Sequence, residues 1–136
     1  MKYKSLLAFL FISLVLINFS CKKNVFDFRN KYVGDYEFVY TYSSWQMNLG
    51  VYASGTNNYS GRVYYDKNTK DKIKIEYNNS TLDLGIDKDG NLSLACGTSA
   101  GKFESKSKLT INSSSNACPG GGLGGGTNYS LIGTKK

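Results

Sequence analysis

This chain of 136 residues has no histidine, only one proline, and no apolar run after residue 20 long enough to cross a bilayer. Without histidine the usual general base and the commonest metal ligand are missing. Ser-His and Cys-His nucleophile systems are therefore excluded. Glutamate is scarce too, with only Glu37, Glu76 and Glu104, each beside apolar residues that alternate with it. A glycosidase needs two carboxylates about 5 to 9 Å apart in a cleft, and this alternation sends all three to the solvated face. No catalytic residue, metal site or cofactor is expected. No window beyond the first twenty residues carries a helical period, and Pro119 lies outside every strand-like segment.

The chain has 17 basic and 10 acidic side chains, and the excess is scattered. Nucleic-acid binding would need a basic stripe on a matching fold, so no nucleic acid is expected as a partner. Eleven Tyr and seven Phe, with many Thr, Val and Ile, favour strands.

The opening "MKYKSLLAFLFISLVLINFSC" has a basic start, Lys2 and Lys4, and an apolar run from Leu6 to Ile17 broken only by Ser13. That run is secretory in length and short of the roughly 20 residues of a membrane-spanning helix. Asn18, Phe19 and Ser20 lead into Cys21. The stretch resembles the lipobox of bacterial lipoproteins, with a small residue directly before the cysteine, although Asn18 and Phe19 replace the preferred Leu and small residue. The resemblance implies removal of residues 1–20, a diacylglycerol on the Cys21 sulfur and acylation of its amine. Two or three acyl chains anchor stably where one does not. Lys22 in place of Asp after the cysteine points to the outer membrane. The expected organisation is a signal peptide over 1–20, a lipidated tether over 21–32 and one β domain over 33–136.

Cys96 and Cys118 remain. In an exported protein they are expected to pair, closing a loop of about 22 residues worth roughly 3 kcal/mol; two buried thiols are the alternative.

From residue 33 the period is two. "VGDYEFVYTY" puts Tyr36, Phe38, Tyr40 and Tyr42 on one face. "WQMNLGVYA" reads as the second strand, with Trp45, Met47, Leu49 and Val51 on one side and "SGTNN" as the turn after it. "YSGRVYYD" and "KIKIEY" form a hairpin around "KNTKD"; "TLDLGI" and "NLSLAC" form another around "DKDG". "GTSAG" turns the chain, "KFESKSKLTINS" holds two short strands or one bent strand, "CPGGGLGGG" is a loop and "TNYSLIGTKK" closes the sheet.

"DKDGN" has the look of a calcium-loop opening, but the loop's closing position, counted from Asp87, falls on Thr98 instead of a bidentate glutamate. Asp-Gly between alternating apolar runs is a hairpin signal in its own right. The glycine run lacks the Lys and the helix of a phosphate-binding loop.

The fold class is thus all-β, an antiparallel meander of eight to nine strands closing into a barrel, with a β-sandwich as the alternative. "VGDYEF" resembles the Gly-x-Trp start of lipocalin first strands, with Tyr36 in place of Trp. With Cys21 and the strand spacing, the chain resembles small lipocalin-like bacterial lipoproteins. That implies a lipid-anchored envelope protein with a non-catalytic interior site for a small apolar or amphipathic ligand, lined by Tyr36, Phe38, Tyr40, Met47, Leu49, Leu84 and Leu94. Gly61, Gly85 and Gly133 are positions where space could open. The rival expectation is a filled barrel acting through its outer surface on protein partners, where Tyr52 and Tyr64, near Arg62, offer exposed rings.

Overall fold

The computed structural model describes residues 27–120 and 124–136; Cys21 and the expected signal peptide lie outside them. Eight strands follow one another around a closed antiparallel barrel: β1 (Gly34–Gln46), β2 (Gly50–Tyr64), β3 (Lys72–Tyr77), β4 (Ser80–Ile86), β5 (Asn91–Ser93), β6 (Ser99–Phe103), β7 (Lys108–Ser114) and β8 (Gly125–Lys135). β8 returns to β1, with Tyr36 opposite Lys135 and Gln46 opposite Gly125. The barrel replaces the sandwich alternative.

Turn chemistry sets the register. Asn78 and Asn79 have φ of 46° and 57° between the Tyr77–Ser80 pair, the left-handed geometry that a two-residue hairpin requires. At the "DKDG" turn the Asp87 carboxylate accepts hydrogen bonds from the backbone N–H of Asp89 and Asn91 at 2.9 Å and from the Asn91 side chain at 2.7 Å. Its lone pairs serve the turn.

The walls differ in height. β1 pairs with β2 along its whole length, from Gly34 opposite Val63 to Gln46 opposite Gly50. β3 pairs with β2 only over Gly61–Tyr64, and β5 is three residues long. β7, β8, β1 and β2 therefore form a tall wall that rises past the short wall of β3 to β6.

This geometry corrects the expected second strand. The chain reverses at residues 47–49, where the Leu49 N–H donates to the Gln46 carbonyl at 3.0 Å and Gly50 takes a φ of 68°. Met47 and Leu49 are 77% and 68% exposed at the hairpin tip and line no interior. Their alternation marks a strand end above the point where an opposite wall exists. "SGTNN" is no turn; Ser54 to Asn58 pair with Ser43 to Val39 within β2. "GTSAG" runs into β6, "KFESKSKLTINS" resolves into the end of β6 and β7, and β8 begins inside the glycine run at Gly125.

The tether boundary also moves. Asp27 caps a short 3-10 turn over Phe28–Lys31 that plugs the lower end of the barrel. Arg29 is 2% exposed, paired with Asp27 at 2.7 Å, and donates to the Thr69 carbonyl and, at 2.8 Å, to the Lys72 carbonyl. Tyr32 stacks on Phe103 with centroids 4.1 Å apart, and its carbonyl accepts from the Tyr36 hydroxyl at 2.8 Å. Residues 27–32 belong to the folded domain.

Above the plug lies the core of Tyr36, Phe38, Val63, Ile73, Ile75, Leu84, Ile86, Leu92, Leu109, Ile111 and Leu131. A Cβ on Gly61 would stand 2.9 Å from the Phe38 ring, and one on Gly133 would stand 2.7 Å from it. The space those two glycines open is filled by Phe38.

Candidate functional site

Above the core, inward positions of β1, β2, β3 and β8 carry a cluster of tyrosines. The Tyr40 ring lies at the centre of this tyrosine layer. Its centroid is 5.9 Å from Tyr42, 6.5 Å from Tyr59, 6.0 Å from Tyr77 and 5.9 Å from Tyr129. Tyr59 and Tyr77 are 6.0 Å apart. All five rings are half-buried. They come from β1, β2, β3 and β8, so only barrel closure assembles them.

The layer is rich in unspent hydrogen-bonding capacity. None of the five phenol hydroxyls bonds to another described residue. The Ser113 hydroxyl is shielded from solvent and also lacks a partner among the described residues. Ser113 pairs with Tyr129, which pairs with Tyr42, so the three share one rung. Buried polar groups are usually satisfied, and Ser113 is an exception among the described residues. One rung higher, Ser44 and Thr127 bond across β1 and β8 at 2.8 Å.

Burial pushes the Tyr77 hydroxyl up to about 12, with the neighbouring Tyr40, Tyr129 and Tyr59 adding to it. Tyr40 is raised too, first by burial and then by Tyr129, Tyr59 and Tyr42. A charged phenolate is costly in a low-dielectric layer, so these groups remain neutral and can both donate and accept.

Of the expected lining residues, Tyr36, Phe38 and Leu84 do point inward, but they are 0%, 1% and 2% exposed and packed solid. Tyr40 and Leu94 are half-buried against the core. Met47 and Leu49 stand outside it. Tyr42, Tyr59, Tyr77, Tyr129 and Ser113 are inward residues that the expected lining does not include. Each has inward parity on its own strand, but register alone joins only Tyr42, Tyr129 and Ser113 on one rung, and closure of the barrel brings Tyr59 and Tyr77, opposite Phe38 and Gly61, up to the Tyr40 ring.

Cys96 and Cys118 form a disulfide, tying the turn between β5 and β6 to the loop between β7 and β8. The Thr98 hydroxyl donates to the Ala117 carbonyl at 3.2 Å beside it. The glutamates are held in ion pairs: Glu37 with Lys136 at 2.6 Å, Glu76 with Arg62 at 2.9 Å and Glu104 with Lys108 at 2.8 Å. The Arg62 guanidinium lies 5.0 Å over the Tyr64 ring, while Tyr52 stands apart near the hairpin tip. Among the described residues no cluster of His, Cys, Asp or Glu could hold a metal, and no helix is long and apolar enough to cross a membrane.

Comparison with known proteins adds nothing to this geometry: no family model, no curated protein and no solved structure matches the chain.

Proposed function

We propose that this chain is an envelope lipoprotein, held to a bacterial membrane, the outer one, by lipid on Cys21, and that its barrel is a non-catalytic binding module for a small amphipathic ligand. The observation that carries the binding reading is the tyrosine layer. Five half-buried rings present apolar surface together with hydroxyls that have no partner among the described residues. Binding sites combine these features, a mostly apolar lining with a few placed polar groups. The ligand lies on this layer, above the core and not within it.

The basic start, apolar run and Cys21 support the anchorage. Cys21→Ala should leave the chain uncleaved and shift it out of the lipid-dependent membrane fraction. Unchanged partitioning would remove the anchor from this reading.

Native mass spectrometry of the protein purified from its host tests the binding reading. A stoichiometric adduct, lost on substitution of Tyr59 and Tyr129, supports it; a bare mass counts against it. One observation favours a second reading, a protein-docking role. Met47, Leu49, Val51 and Tyr52 are each more than 60% exposed within six residues of the β1–β2 tip. A bare mass, together with a partner protein cross-linked at residue 48, would favour that role.

A further inference from the structure

The charges of the barrel are gathered away from one end. No Asp, Glu, Lys or Arg occurs between Glu37 and Arg62, or between Lys108 and Lys135. These two stretches take in most of the tall wall, its whole upper part included. The remaining upper turns are Asn78–Asn79 and residues 94–98, and they are uncharged as well. The lower turns contain Asp66, Lys67, Lys70, Asp71, Asp87, Lys88, Asp89, Glu104 and Lys106. The tyrosine layer faces the neutral end.

We infer that the ligand of the tyrosine layer is an uncharged carbohydrate, a neutral mono- or oligosaccharide. This rests on the binding reading above and narrows its ligand class. Three features select the class. An anionic lipid or an acidic sugar would meet no cation there, and buried charge without a partner is costly. An acyl chain would cover the phenols while satisfying none of them, and each polar group left dry is penalised. A sugar meets both demands. The electropositive C–H groups on one side of the ring rest against the electron-rich faces of aromatic rings. Its equatorial hydroxyls exchange hydrogen bonds with phenols that can act as donor or acceptor. Neighbouring ring centroids lie about 6 Å apart around Tyr40, so several half-buried rings are gathered within the span of one sugar.

The test uses the intact lipoprotein in neutral detergent. It is applied to an array of neutral oligosaccharides built from glucose, mannose, galactose, xylose and N-acetylglucosamine, and the strongest hit is followed by calorimetry. Sodium palmitate, phosphatidylglycerol vesicles and a set of uncharged peptides serve as rival probes. A neutral oligosaccharide should bind with an affinity that does not change between low and high salt. Tyr59→Phe and Tyr129→Phe should each weaken it about three- to tenfold, the scale of one lost hydrogen bond. Tyr59→Ala should weaken it further, and Tyr64→Phe on the outer face should change nothing. The phenylalanine variants keep ring and packing, so they remain informative if the alanine variant unfolds. Binding of palmitate, phosphatidylglycerol or a peptide in a Tyr59-dependent way, with every sugar silent, overturns the carbohydrate class and leaves the binding reading standing. A sugar that binds the wild type and Tyr59→Phe/Tyr129→Phe equally well also overturns it. Silence from every probe, with a bare native mass, sinks both.

Discussion

Gly61 shows how much a single missing Cβ decides. Its position is closed on two sides, with the Glu76 carbonyl oxygen 2.0 Å and the Phe38 ring 2.9 Å from where a Cβ would sit. The carbonyl is part of the β2–β3 pairing, so it cannot retreat without breaking the sheet. Gly61→Ala should lower unfolding free energy by about 1–3 kcal/mol, as overpacking does, read from urea denaturation. Phe38→Ala should cost about 3–5 kcal/mol, because the ring fills the space of two glycines. The plug offers a pH signature. Asp27 is held below its ordinary value of 3.8, first by its hydrogen bond from the Arg29 side chain. A carboxyl depressed in the folded state contributes stability above its unfolded pKa, and that contribution is lost as pH falls through the folded value. Denaturant midpoints should therefore decline below pH 3.8, and Asp27→Asn should flatten that decline. If the variant keeps the wild-type slope, the pair does not govern acid stability.

Among the elements, the β1–β2 hairpin and the disulfide matter most. β2 from Gly50 to Ser60 has β1 on one side and no described strand on the other. That edge of β2 is therefore unpaired among the described residues, and the inward residue Asn57 is exposed while Tyr59 is half-buried. Across the barrel mouth, the Cys96–Cys118 bond fastens the short wall to the loop leading into β8. With a separation of 22 residues, the chain-entropy argument makes the bond worth about 3 kcal/mol. Cys96→Ser with Cys118→Ser should lose about that much. Hydrogen exchange should accelerate at residues 94–98 and 115–118 while the β3–β4 hairpin stays protected. Uniform acceleration would instead mean that the bond supports the whole barrel.

At the scale of the whole molecule the two ends are chemically opposite. The lower end carries the plug, the charged turns and Asp27, the first described residue. The upper end is neutral and lies about 40 Å further along the 13 residues of β1, at 3.3 Å per residue. On the proposed reading, with lipid on Cys21, six residues before Asp27 in sequence, the charged end is expected to lie nearer the membrane than the tyrosine layer. A fluorophore at residue 88 should be quenched by spin-labelled lipid more strongly than one at residue 48. The reverse order would mean that the hairpin tip contacts the bilayer. Above pH 10 the buried phenols act at the same scale. Tyr36 and Tyr77 are both pushed up to about 12 by burial, so the neutral form is favoured in the fold. Stability should fall as pH rises past the ordinary tyrosine value of 10.0, with phenolate absorbance appearing together with unfolding.

The sequence by itself determined the strand character, the inward face of β1, the Asp87–Gly90 turn and an eight-strand count within its range, because period-two patterning and turn residues are local signals. It pointed to the Cys96–Cys118 pair but could not supply the approach of the two backbones. It misplaced Met47 and Leu49, since alternation reports a strand and says nothing of whether another wall stands opposite. Only the tertiary structure decided that the two walls differ in height, that Phe38 closes the space at Gly61 and Gly133, and that Tyr42, Tyr59, Tyr77 and Tyr129 gather around the Tyr40 ring. Register between strands distant in sequence is set when the barrel closes, and that is where the candidate site comes from.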